Sequence, residues 1–489
     1  MNYALLFCDS VLHVGVNKKH TFRKGVYTSY TYKLFIDKEE LSVELKKHYI
    51  RYILMTSLAV GAGTAQALND KEQLGKSIFF DEHLSINQNQ SCAACHGPEA
   101  GWTGPDGEIN LLGAVYEGSI LGRFGDRKPP SAAYATPSPI LDFVIEKKEA
   151  LFIGGNFWDG RATGNLLGSP AADQAIGPFL NPAEQALPDS ACVVYRVCNP
   201  TVTGDYPVSF EDVWGPGSCA ITWPEDIDTV CATEGATVAL STEDRAQSDM
   251  NYGNIGRTIA VYEDSPEVNE FSSKYDAFLA GVVDLTKEEK KGLNLFKSKG
   301  KCANCHILDP GPNGEPPLLT DFTYDNLGVP KNPENPVYDV DPNFVDLGLG
   351  GFLANTPVLN PDGSVRVPDY SAFAAENEGK QKVPTLRNVA KGSCEADPTD
   401  PCIVKAYSHN GFFKSLKGIV HFYSTRDVLL SCESLGLFDA TEAVALASDC
   451  WPQPEVPQNV NTKELGNLHL TDAQEDAIVA FMKTLSDLP

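Results

Sequence analysis

The chain has 489 residues, more than one hydrophobic core ordinarily serves, so two domains of ordinary size are expected. With 42% hydrophobic and 21% charged residues it is globular rather than disordered or fibrous, and 33 prolines with 41 glycines predict long, rigid loops. The net charge of -26, spread along the chain, excludes nucleic acid and anionic lipid as partners and favours a basic patch on a protein partner.

In chain order, Lys46, Lys47 and Arg51 precede an apolar stretch from Tyr52 to Ala62, and Ala65-Gln66-Ala67 has the small-x-small form of a signal-peptidase site. Residues 46–67 therefore read as a signal peptide cleaved after Ala67, which implies export to the periplasm, with an uncleaved anchor as the alternative. Residues 1–45, upstream of it, read as a mis-called start or a disordered extension and are excluded from the fold. Glu72 to Phe80 has apolar residues at helical spacing and leads into Cys92-Ala93-Ala94-Cys95-His96. Asn254–Tyr262 and Phe271–Leu279 are helical in pattern, and a Gly281-containing junction puts a domain boundary near residue 283. Thr286 with Glu289 forms a capping-box signature ahead of Cys302-Ala303-Asn304-Cys305-His306, and Thr471 with Gln474 opens a closing helix. Two inserts, 187–247 with four cysteines and 308–378 rich in Pro, Asn, Asp and Gly, lack sustained periodicity and read as ordered loops.

Of 13 cysteines, Cys8 falls before the leader and four sit in the Cys-x-x-Cys-His motifs. The other eight fall into local pairs, for which nearest-neighbour disulfides are the simplest framework: 192 with 198, 219 with 231, 394 with 402, and 432 with 450. Connectivity does not follow from sequence alone. Staples of this kind suit an exported chain.

Cys-x-x-Cys-His sets two thiols about one turn apart for addition to the vinyl groups of haem, with the adjacent histidine placed to ligate iron. Two copies predict two covalent haem c groups, at Cys92, Cys95 and His96 and at Cys302, Cys305 and His306. The sixth iron position separates peroxide chemistry from electron transfer. Between His96 and His306 there is no histidine and the only methionine is Met250, while His83 reads as a solvent-facing loop residue; the first haem is expected to have an open or water-bound distal side. After His306 the candidates are His409, His421, His469, Met482 and several tyrosines, and composition does not choose among them.

Four further stretches carry a family resemblance: Phe157-Trp158-Asp159-Gly160-Arg161, Gln174 to Glu184, Val383-Pro384-Thr385-Leu386-Arg387-Asn388, and His409-Asn410-Gly411 followed by Leu416. With the two haem motifs they resemble the bacterial diheme cytochrome c peroxidase and MauG superfamily over most of the mature chain, the two inserts being departures. The resemblance implies a mainly α fold of two cytochrome c-like haem domains with long loop insertions: an N-terminal peroxidatic domain, 68–283, and a C-terminal electron-transfer domain, 284–489. It implies Glu184 as the distal acid-base group, Gln174 as its pocket companion and Trp158 as the residue between the haems. The plainer reading of Glu184 is a carboxylate at a helix N-terminus, and that of Trp158 a core residue. Calcium, which family members hold between the domains, is left open, because the asparagine ligand falls near Lys128, a residue that cannot ligate it, with carbonyls near Val404 and Ala406.

In the peroxidase branch a methionine on the segment after the His-x-Gly motif closes the second haem. Fourteen residues after His409, at that position, stands Tyr423, as in the MauG branch. A phenolate stabilises oxidised iron better than a thioether does and lowers the potential; the plainer alternative is a core tyrosine with His409 or His421 as ligand. The leading expectation is thus a periplasmic, MauG-like peroxidase that uses hydrogen peroxide to oxidise a protein partner through a high-valent diheme state, as a monomer or homodimer. The alternatives are a cytochrome c peroxidase fed by a small cytochrome c, and a non-catalytic diheme electron carrier.

Overall fold

Asn69 caps the first described helix: its side chain accepts the Glu72 N–H at 3.0 Å, and Glu72 answers at the Asn69 N–H at 2.7 Å. This reciprocal cap starts α1, Asp70–Phe79, whose buried face is Leu74, Ile78 and Phe79. The computed structural model describes residues 67–488 apart from 147–148, 312–313, 361–362 and 399–400, so the leader and the segment before it lie outside the described residues. No described helix is long and apolar enough to cross a membrane.

The chain is mainly helical, as expected. The principal elements after α1 are a hairpin of β1, Asp142–Glu146, and β2, Glu149–Ile153, then α2, Pro170–Leu180, α3, Ser190–Val197, and α4, Tyr206–Trp214. They continue with α5, Thr242–Glu263, α6, Lys274–Leu279, α7, Lys287–Lys297, α8, Leu416–Thr425, and α9, Asp472–Met482. The predicted caps are in place: Glu289 and Thr286 cap α7 reciprocally, and the Gln474 side chain accepts the Thr471 N–H at 3.1 Å.

Ala65 to Pro489 form one contact unit built on two main hydrophobic cores. The first gathers Leu74, Phe79, Trp102, Phe179, Phe210, Ile255 and Tyr262; the second gathers Phe296, Phe413, Val420, Phe422, Ile478 and Phe481. The same device builds both. In the first, α1 crosses α5 at Gly75, where a β-carbon would collide with the Thr258 carbonyl oxygen; in the second, α7 crosses α9 at Gly292, where it would collide with that of Ala477. Only glycine lets the helix axes come so close. A smaller cluster joins β2, through Phe152, to Tyr324, Leu353 and Tyr370 of the segment after the second haem motif.

Two expectations need correction. The 187–247 insert is not loop: it contains α3 and α4 with short helices at Pro200–Thr203 and Ile227–Cys231, and Val193, Val194, Val197 and Phe210 lie in the first core. Helices this short show too few turns for a period to register. The disulfides in the insert are Cys192–Cys231 and Cys198–Cys219, not 192–198 and 219–231. Cys192 lies on α3 and Cys198 caps its C-terminus. Six residues of helix separate two α-carbons by about 9 Å along the axis, beyond disulfide reach. Cys394–Cys402 and Cys432–Cys450 pair as expected.

Candidate active site

The two Cys-x-x-Cys-His motifs fold alike. Each cysteine pair sits on a short 3-10 turn, Cys92–Ala94 and Cys302–Asn304, and the histidine N–H reaches back to the first cysteine carbonyl at 3.0 and 2.9 Å. His96 Nδ1 lies 3.2 Å from the Trp102 carbonyl oxygen and His306 Nδ1 lies 2.9 Å from that of Leu319. Both acceptor residues take positive φ, 63° for Trp102 and 57° for Leu319, a conformation that costs about 1 kcal/mol or more outside glycine. A carbonyl acceptor at Nδ1 fixes the proton there and leaves the Nε2 lone pair free for a metal. Burial drives the pKa of His96 down to about 4 and lowers that of His306, so both rings are neutral bases. The four motif cysteines stay outside the disulfide framework that takes the other eight described cysteines. Each histidine lines its own cavity. This donor set fits two haem c groups.

The cavities differ in what completes them. That of His96 is lined by Trp158, Gln174 from α2 and Glu263, the last residue of α5. Glu184 lies in the turn that follows α2, its N–H bonded to the Asn181 carbonyl at 3.0 Å, and not at a helix N-terminus. Its carboxyl group is pushed above the ordinary range by burial and acts on the Cys95 and Cys92 thiols. Gln174 is therefore placed in the His96 cavity, and Glu184 stands beside the paired cysteines without being among the lining residues. Glu263 was not singled out from the sequence. It is buried, its pKa is raised to about 8 by burial, and its only sequence signal is an acid following Ile255, Ile259 and Tyr262 on the buried stripe of α5. His83 is exposed and bonded to Asp81, and Met250 is exposed; neither lines this cavity.

The second cavity holds Cys302, Cys305 and His306 together with Leu416, Ile419, Val420 and Tyr423 of α8. Those four positions are one stripe of a helix, i, i+3, i+4 and i+7. His421 falls off that stripe and turns to Glu475 of α9, its Nδ1 3.2 Å from the carboxylate. Neither His421 nor His469 lines the cavity, whereas His409, Tyr407 and Met482 do. The Tyr423 hydroxyl pKa is raised, by burial first and then by the two motif thiols.

Trp158 lines both cavities. Its indole N–H donates to the Lys128 carbonyl at 2.8 Å, its own carbonyl accepts the Lys382 N–H at 2.7 Å, and its ring meets His409 edge-on at 6.4 Å. The turn behind it is locked by charge: Asp159 binds Arg127 at 2.6 Å and Arg161 at 2.9 Å, and Arg127 binds Asp346 through two more bonds. Lys128 does not present a ligand set for calcium: its ammonium donates to Thr103 Oγ1 at 2.7 Å and to the Pro129 carbonyl at 3.0 Å.

A family model described as di-haem cytochrome c peroxidase matches residues 69–284. The methylamine utilization protein MauG of Paracoccus denitrificans (strain Pd 1222) is 30% identical over 448 residues, 90% of this chain and 96% of that one. The cytochrome-c peroxidase IdrP2 of Pseudomonas sp. (strain SCT) is 24% identical, over 85% of this chain and 81% of its own length. Among solved structures, the diheme peroxidase BthA of Burkholderia thailandensis E264 superposes with a TM-score of 0.61 at 27% identity, covering 87% of this chain and 88% of that one.

Proposed function

The chain belongs to the di-haem cytochrome c peroxidase family and is a haem-dependent oxidoreductase; from that premise we propose that it is a periplasmic, MauG-like enzyme that uses hydrogen peroxide at a haem on Cys92, Cys95 and His96 and oxidises a protein partner. A second haem would be held by Cys302, Cys305, His306 and Tyr423, and the two haem domains would correspond to the two hydrophobic cores. The observation that carries this reading is the place of Tyr423 on the α8 stripe facing the His306 cavity, while His421 faces away to Glu475. The 30% identity to MauG over nearly its whole length supports it.

Bound haem supplies the iron at which the O–O bond is cleaved and, across the pair, a store for two oxidising equivalents. The protein's part is positional. Trp102 and Leu319 hold the two histidines as neutral bases aimed at the metal. Glu184, its carboxyl group raised by burial, holds the proton taken from one peroxide oxygen and returns it to the other, and Gln174 orients the peroxide by its amide. Trp158, in van der Waals reach of both cavities, is the relay between them.

The test is electron paramagnetic resonance of the ferric protein before and after peroxide. One high-spin and one low-spin haem are expected, with Tyr423→Phe altering the low-spin signal alone. If that substitution leaves both signals as they were, the ligand assignment is wrong. Turnover sustained by a small cytochrome c at the full rate of peroxide consumption would instead favour the peroxidase reading, and two six-coordinate haems inert to peroxide the electron-carrier reading.

A further inference from the structure

Between the two cavities lie ammonium groups that no protein carboxylate balances. Lys128 is buried, and its donors meet only Thr103 Oγ1 and the Pro129 carbonyl. Lys382 lines both cavities, and its ammonium meets Ser138 Oγ at 2.7 Å, Asn156 Oδ1 at 2.9 Å and the Gly155 carbonyl. Behind them Lys405, also buried, is held by the carbonyls of Ala100, Asn388 and Lys391 and repels Lys128. All three line the His306 cavity. Among the described residues none of the three forms an ion pair.

The contrast with the nearby arginines is instructive. Arg127 clasps Asp159 and Asp346, and Arg387 clasps Asp276. A buried charge without a counter-charge costs several kcal/mol, and neutral acceptors recover only part of that. Burial accordingly lowers the pKa of both Lys128 and Lys382 to about 7 in the protein alone, with no carboxylate opposing the shift. Carboxylates line the same cavities, Glu263 in one and Asp325, Asp346, Glu455 and Glu464 in the other, yet among the described residues none pairs with these lysines. The missing anion must therefore come with what the cavities hold. Haem carries two propionate carboxylates, and two haems carry four.

We propose that Lys128 and Lys382 are haem-carboxylate anchors of this protein, a buried ammonium on the wall of the His306 cavity and a part-buried one on the wall of both cavities, which pair with ionised propionates of the bound haems. This rests on the haem assignment above. An ammonium has three N–H donors, of which Lys128 uses two within the protein, so the third is available for a carboxylate oxygen. Lys382 uses three and acts through its charge. Because Lys128 also carries the carbonyl that holds the Trp158 indole, the anchor and the relay are fixed to one another.

The experiment uses the haem-loaded full chain made with haem labelled with carbon-13 in its propionate carboxyl groups. Redox-difference infrared spectra and the midpoint potential of each haem are recorded for the wild type, Lys128→Met, Lys382→Met and the surface control Lys417→Met. In the wild type at neutral pH the labelled groups should appear as ionised carboxylates alone. Each anchor variant should shift or protonate a labelled band and lower a midpoint potential, because removing a cation favours the oxidised iron; the control should do neither. Unshifted bands and potentials in both anchor variants, at two haems per chain, would overturn the proposal. So would protonated propionates in the wild type, which decides the matter even if a variant fails to take up haem. Fewer than two haems per wild-type chain would instead overturn the haem assignment.

Discussion

Arg387 offers the sharpest stability test. Its guanidinium is buried, makes two bonds to Asp276 at 2.8 and 3.0 Å and a third to the Pro317 carbonyl at 2.7 Å, and covers the rings of Tyr134 and Phe271. It thus ties α6 to the segment Val383 to Asn388 that lines the second cavity. Arg387→Met leaves the largely buried Asp276 carboxylate without its partner, for which a loss of about 3–5 kcal/mol is expected. Arg387→Met with Asp276→Asn should recover part of that loss, because the orphan charge is gone. The pH dependence has a definite sign. Burial pushes the Asp276 pKa up but the Arg387 bonds more than offset it, so the folded value lies below the unfolded one. The pair therefore contributes stability above the ordinary aspartate pKa of about 3.9 and loses it as pH falls through the folded value. Urea unfolding of the haem-loaded proteins, followed by circular dichroism, should show the gap between wild type and Arg387→Met widest at pH 7 and narrower at about pH 3, below the ordinary aspartate value. A loss under about 1 kcal/mol at pH 7, or a gap that does not narrow, would refute the buried clamp.

Three further outcomes are expected. Glu184→Gln should slow the reaction with peroxide by about 100-fold or more, as loss of an acid-base group does, with unchanged spectra of the resting haems; stopped-flow absorbance checks this, and an unaltered rate removes the role. Trp158→Phe keeps an aromatic ring but strands the Lys128 carbonyl, so it should destabilise by about 1–3 kcal/mol and delay oxidation of the second haem after peroxide reaches the first, measured by rapid-freeze paramagnetic resonance. Non-reducing peptide mapping should recover Cys192 with Cys231 and Cys198 with Cys219, and Cys192→Ser with Cys231→Ser, which opens a loop of sequence separation 39, should lower stability by about 4 kcal/mol on the chain-entropy account.

The helices at each haem motif were legible because their signals are local. Thr286 with Glu289 and Thr471 with Gln474 announce a helix within one turn, and the structure uses those side chains as read. The 187–247 insert was illegible for the converse reason: its helices are held by burial against α1 and α5 and by disulfides, so their order comes from contacts distant in sequence. Trp158 was singled out from its motif, and the structure places it on the wall of both cavities. Glu263 could not, because a glutamate one residue past an apolar stripe ordinarily reads as the solvated end of a helix. Its burial near Cys92 depends on how α5 packs against α1, which no local pattern encodes. Lys128 was read only as a residue unable to bind calcium; that it is buried among neutral oxygens required the fold.

The asymmetry between the haem sites can now be traced to its physical origin. The motifs themselves are near copies: a 3-10 turn, a histidine bonded through Nδ1, and an acceptor carbonyl on a residue of positive φ. The helix before each one is also set by the same glycine crossing. Nothing in this shared frame distinguishes the two sites. The difference enters with the element that covers each cavity. At His96 it is the middle of α2 and the acidic end of α5, which bring the Gln174 amide and the Glu263 carboxyl group. At His306 it is the middle of α8, where the period of the helix places Tyr423 in line with three aliphatic residues. The same Cys-x-x-Cys-His unit is thus walled by an amide and a buried carboxyl group on one side and by an aliphatic helix stripe carrying Tyr423 on the other, and the proposed division into a peroxide site and an electron-storage site rests on that difference.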